Sequence, residues 1–117
     1  LLVDDSEATK RAVRFGATIA ANQGMAVDTL TVSKTDHFGH GYSRAAKAAG
    51  RFLKSKGIPH EQHFLTGDPV GTFVEFAGET HLMVMGASSK SPLKKYFMGS
   101  KPIKTLEMAT APILIVK

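Results

Sequence analysis

Cysteine and tryptophan are both missing from the 117 residues of this chain. Without cysteine there is no disulfide framework, no thiolate nucleophile and no cysteine zinc site. No apolar run approaches the roughly 18 residues of a membrane-crossing helix, and no signal-peptide pattern is visible, so the expectation is a cytoplasmic protein with no membrane partner. The pattern Gly-x4-Gly-Lys-Ser/Thr is absent, which argues against a P-loop nucleotidase. No nucleophile, base and acid stand in a usable order, so no dedicated catalyst is visible. Acidic residues are missing from one long window: between Thr80 and Leu106 stand Lys90, Lys94, Lys95, Lys101 and Lys104 and no Asp or Glu. The chain totals 15 Lys and Arg against 10 Asp and Glu, a net charge of +5, so outside this window the two signs balance. The excess is local, and a local positive field concentrates phosphate-bearing ligands.

The remaining composition, 43% hydrophobic and 21% charged, fits one soluble globular domain with a real core. Residues 1–3 (Leu-Leu-Val) read as the end of a buried strand whose opening residues precede Leu1. Asp4, Asp5 and Ser6 follow, and either Asp5 or Ser6 caps the next helix. In that helix Ala8, Ala12, Phe15 and Ile19 recur at helical spacing and predict its buried face, and Gly24 suits its C-terminal end. Residues 25–32 predict a second strand. After a loop over 33–41, Tyr42, Ala45, Ala46, Ala49, Phe52 and Leu53 form one stripe of a second helix, stopped at 57–59 (Gly-Ile-Pro). Residues 60–66 predict a third strand. Asp68 and Pro69 then supply the N-cap and first position of a third helix, with Val70, Phe73, Val74 and Ala77 inward and Gly78 at its end.

The short apolar run 82–85 predicts a fourth strand, followed by Gly86 and a polar loop. Gly99 and Ser100 open a segment with helical spacing, residues 102–109 predict the last helix, and residues 112–116 (Pro-Ile-Leu-Ile-Val) predict the last strand. Strands alternating with helices imply an α/β fold: a parallel sheet covered on both faces, doubly wound by right-handed crossovers. In such a sheet a loop leaving a strand's carboxyl end for a helix N-terminus presents free backbone N–H groups and the positive end of a helix dipole. The lysine-rich window is a loop of that kind, so it is the expected phosphate site.

With these segments in place, the chain resembles the universal stress protein family. The resemblance rests on the opening Val-Asp-Asp-Ser at 3–6, the stretch 84–100 and the terminal Ala-Pro-Ile-Leu-Ile-Val-Lys at 111–117, and it spans essentially the whole chain. The family's nucleotide-binding branch carries Gly-x2-Gly-x9-Gly-Ser/Thr after the fourth strand. Gly86, Gly99 and Ser100 match at the family's spacing, and Ser89 replaces the second glycine. The resemblance implies five parallel strands in the order 3-2-1-4-5, the adenine nucleotide alpha hydrolase-like arrangement, as a single domain over 1–117. It implies an adenine nucleotide, ATP or AMP, as ligand of a stress-response domain with little or no turnover. Asp4 would lie against the nucleoside and hold Mg²⁺ through a phosphate, and Val32 would offer backbone contacts to adenine. Met85, Gly86, Ser88, Ser89, Lys90, Gly99, Ser100 and Lys101 would line the phosphate loop. Pro102 removes one N–H from the start of the last helix, and the charge of Lys101 stands where it compensates. The resemblance also implies a homodimer through strand 112–116. Two further readings stay open: a nucleotide-free homodimeric interaction protein of this fold, and a slow Mg²⁺-dependent ATPase or phosphotransferase.

Other constellations carry less. His60 and His63 fall on opposite faces of a strand and do not form a ligand pair. His37 and His40 read as solvated loop histidines, and Met83 with Met85 as core or pocket wall. Tyr96 and Phe97 are the first aromatics in the lysine-rich loop, which is poor support for nucleic-acid stacking.

Overall fold

Helices and strands alternate through a computed structural model that describes residues 1–33, 40–79, 81–87 and 100–117, leaving aside the side chains of 40–43 and 100–103. In chain order these are α1 (Glu7–Gln23), β1 (Val27–Ser33), α2 (His40–Ser55), β2 (His60–Thr66), α3 (Pro69–Ala77), β3 (Met83–Gly86), α4 (Ser100–Met108) and β4 (Ile113–Val116).

The local signals act where the sequence places them. Ser6, not Asp5, caps α1, its Oγ accepting from the Thr9 N–H at 3.3 Å. Gly24 ends α1 in the left-handed region, φ 64° and ψ 35°, a conformation that costs glycine least. Asp68 accepts from the Gly71 N–H at 2.8 Å at the start of α3, with Pro69 in the first turn where its missing N–H is not needed.

β1 pairs in parallel with β2, Val27 opposite His60 through Ser33 opposite Thr66. β3 pairs in parallel with β4, Met83 opposite Ile113 through Gly86 opposite Val116. A continuous five-stranded ladder in the order 3-2-1-4-5 is not formed among the described residues, because residues 1–3 supply one bridge rather than a full strand. Leu2 bridges Leu30 in parallel, the Val3 N–H donates to the Leu30 carbonyl at 2.7 Å, and the Leu2 N–H donates to the Val84 carbonyl at 2.9 Å. These bonds set residues 1–3 between β1 and β3.

Both faces are covered. On one, Leu30, Val32, Met83 and Met85 pack with Phe73 and Ala77 of α3 and with Ala111. On the other, Ala17 and Ala20 of α1 meet Leu53 of α2 and Ile58, while Val3, Val13 and Ala49 form a neighbouring cluster. β1 is therefore buried on both sides, with Thr29 and Thr31 as enclosed as Leu30 and Val32. No helix among the described residues is long and apolar enough to cross a membrane.

The buried face of α1 differs from the expected one. It consists of Ala8, Thr9, Ala12, Val13, Gly16, Ala17 and Ala20, while Phe15 is 50% exposed. Small side chains let the helix axis approach the sheet closely, and a phenylalanine on that stripe would hold it away.

Candidate functional site

The carboxyl edge of the strands is where the sequence places the site, and the register levels its parts. Leu2 lies beside Leu30 and its N–H reaches Val84. Two residues further along each parallel segment come Asp4, Val32 and Gly86, which therefore emerge at one height. β1 closes at Ser33, whose carbonyl accepts from the Gly67 N–H at 2.8 Å. After β3, the Ala87 N–H donates to the Val116 carbonyl at 2.8 Å, so the chain leaves the sheet beside the end of β4.

Asp4 is held in a fixed orientation. Its Oδ1 accepts from the Ser6 N–H at 2.9 Å and from the Thr9 hydroxyl at 2.6 Å, while its own N–H donates to Thr9 Oγ1 at 3.2 Å. Thr9 is buried, so the carboxylate is braced by the first turn of α1 rather than left to swing. Gly86 is fixed by packing: a Cβ there would stand 2.7 Å from the Ala8 Cβ and 2.8 Å from the Ala8 carbonyl carbon. α1 thus crosses the end of β3 at a distance that only glycine permits.

Val32 and Met85 are both buried, at 3% and 2% exposure, with side chains in the core under α3. What they turn to the edge is backbone. α4 joins two parallel strands, so it runs back against them and brings Ser100 and Lys101 at its start to the carboxyl edge. Their side chains lie outside the described residues, as does that of His40. Ser88, Ser89, Lys90 and Gly99, together with His37, Tyr96 and Phe97, lie outside them altogether.

At the opposite, amino edge of the sheet the fold assembles a group that sequence reasoning missed. Asp28 of β1 meets His63 of β2, Nε2 to Oδ1 at 3.1 Å, and His81 ahead of β3, Nε2 to Oδ2 at 3.2 Å. Burial raises the Asp28 pKa, but the hydrogen bonds and charges of His63 and His81 outweigh it, and the net shift is downward. His60 stands apart as expected, its Nδ1 2.8 Å from the Ile58 carbonyl. The one signal in the sequence was the alternation Glu61-x-His63 on a strand. A cleft of about 120 Å³ borders Asp28 and His81 and is also lined by Leu1, Gly16 and Val84.

The alternating elements, parallel pairings and covered faces define a doubly wound α/β protein. Across residues 1–117 the chain matches the universal stress protein family, and it belongs to that family. A universal stress protein of Methanocaldococcus jannaschii is 31% identical over 75 residues, a match covering 62% of this chain and 44% of that protein, so less than half of that relative's length is spanned. Among solved structures, a universal stress protein in complex with cAMP superposes with a TM-score of 0.78 at 23% identity, covering 100% of this chain and 94% of the other. A universal stress protein from Archaeoglobus fulgidus in complex with dAMP gives a TM-score of 0.76 at 21% identity, over 96% of this chain and 90% of that one. At these identities the structural likeness speaks for the fold.

Proposed function

We propose that this chain binds an adenine nucleotide, ATP or AMP, at the carboxyl edge of its sheet, as a cytoplasmic stress-response domain with little or no turnover. The observation that carries this reading is the shared height of Asp4, Val32 and Gly86 at that edge, to which the start of α4 also returns; in sequence, Lys90, Lys94 and Lys95 follow Gly86. Family members of the same fold hold cAMP and dAMP. In this reading Val32 contacts the base through its backbone. Gly86, Ser88, Ser89, Gly99 and Ser100 lie along the phosphates, backed by Met85, and Lys90 and Lys101 supply charge. The braced Asp4 carboxylate fits a ribose hydroxyl or a phosphate-bound Mg²⁺, which would screen phosphate charge there.

The test is direct. Nucleotide released by denaturing the purified chain is identified by mass spectrometry, and affinity is measured by titration with a fluorescent ATP analogue. Gly99→Val puts a β-branched side chain where backbone must approach phosphate. It is expected to weaken binding at least tenfold with unchanged circular dichroism. Unchanged affinity would remove this loop from the site. A chain that carries no nucleotide and binds none would favour the second reading, a homodimeric interaction protein, for which the edge strand β4 is the supporting feature.

A further inference from the structure

The amino edge carries side chains that the nucleotide reading does not use. Asp28 is the register partner of Glu61, and His63 lies two residues beyond Glu61 on β2, so alternation sends all three to one face. His81 reaches the same carboxylate from the start of β3. Phe76 of α3 stands against both imidazoles, with ring centroids 4.8 Å from His63 and 5.6 Å from His81, and fixes their planes.

His81 is held at both ring nitrogens. Its Nδ1 is 3.1 Å from the Ala77 carbonyl oxygen, which can only accept, so Nδ1 carries a proton. Its Nε2 stands 3.2 Å from Asp28 Oδ2, a separation that suits either a ring N–H donating to the carboxylate or two ligands of one metal ion. An Nδ1–H held by a backbone carbonyl is how metal-binding histidines fix their tautomer and orientation.

We propose that Asp28, Glu61 and His63 form the core of a site for a divalent transition metal of the zinc class, with His81, beside Asp28, as the fourth ligand. Ligand atoms of Asp28, Glu61 and His63 all lie within 4.8 Å of one another. Bonds of about 2.0–2.2 Å at tetrahedral angles put neighbouring zinc ligands about 3.3–3.5 Å apart. The two histidine–carboxylate separations, 3.1 and 3.2 Å, are already near that spacing. Glu61 is exposed and can move closer, while His81 lies outside this trio and joins it by turning about the Asp28 carboxylate that it already contacts. Two imidazoles with carboxylates suit zinc, cobalt or nickel better than the all-oxygen shells of Mg²⁺ and Ca²⁺, and no thiolate is present to select Cu(I). The side chains of Asp28, His63 and His81 are 32%, 23% and 41% exposed, which leaves a face for entry and for a bound water. Asp28 and Val32 are four residues apart on β1, about 13 Å, so this site is separate from the carboxyl edge.

Zinc alone, added to chelator-treated full chain without nucleotide, is the probe. Calorimetry is expected to find one Zn²⁺ per chain, with His63→Gln and His81→Gln each weakening it more than tenfold and His60→Gln leaving it unchanged. In the unsubstituted chain, imidazole nitrogen resonances of His63 and His81 should shift on zinc addition while that of His60 stays. This second measurement does not depend on any variant folding. Absence of binding, or shifts confined to other histidines, would overturn the proposal.

Discussion

Gly86 is a motif residue with a packing duty of its own. The atoms that a Cβ would meet belong to Ala8, including its carbonyl carbon at 2.8 Å and oxygen at 3.0 Å, and backbone cannot rotate away as a side-chain tip can. Ala8 in turn is anchored by the Ser6 cap and by the bond from Thr9 to Asp4. Gly86→Ala must therefore lift the start of α1 off β3. It is expected to lower the stability measured by urea unfolding by about 1–3 kcal/mol, in the range of core overpacking. The same displacement moves Asp4, so affinity for the ATP analogue should fall with it. A variant as stable as the parent would mean that α1 has room to shift. Residues whose role is set locally were legible in the sequence: the Gly24 end, the Asp68–Pro69 start and the Gly78 end need only their neighbours. Phe15 was misassigned because period alone does not tell which of two adjoining stripes faces inward. Asp28, His63 and His81 went unseen because they meet only through strand register and the position of residue 81.

Among the elements, β4 is the one whose surroundings suggest a partner. Every residue of this strand is half-buried, and among the described residues it is laddered only to β3. The Met83 N–H donates to the Pro112 carbonyl at 2.9 Å and the Ala87 N–H to the Val116 carbonyl at 2.8 Å. Backbone groups alternate along a strand, so 112, 114 and 116 serve β3 while Ile113 and Ile115 turn theirs to the outer edge. An edge of this kind is a template for pairing, and a second copy about a two-fold axis would fill it. Phe15 lies one helical turn beyond Arg11, whose Nε donates to the Lys117 carbonyl at 2.8 Å, so it overhangs the same flank. Ile115→Pro removes an outward N–H without touching the β3 ladder. If β4 pairs with β4, light scattering should show the parent as a dimer at tens of micromolar and the variant as a folded monomer. A monomeric parent would end the idea. Element types were almost wholly legible, because capping residues and apolar periods changed together at each boundary. The partner is not, since an apolar strand covered by helices reads like one that meets its copy.

At the scale of the whole molecule, the two ladders are stitched together by residues 1–3, and neighbouring amides there point to opposite sides. The Val3 N–H belongs to the β1 side, where a second bond from the Leu30 N–H to the Leu1 carbonyl at 2.9 Å supports it. The Leu2 N–H belongs to the β3 side, where its bond to Val84 spans 82 positions of sequence. Adjacent amides thus act as separate reporters for the two seams of the protein. Contacts so distant in sequence are costly to close and tend to form late, whereas the Leu30 contact is ready once β1 exists. Native-state hydrogen exchange should accordingly show Leu2 exchanging faster than Val3, through an opening that parts β3, β4 and α4 from the rest without global unfolding. Equal protection would mean one cooperative unit. If the openings do separate, the crease runs between Asp4 and Gly86, and a ligand bridging that edge would act as a staple, slowing Leu2 exchange far more than that of Val3.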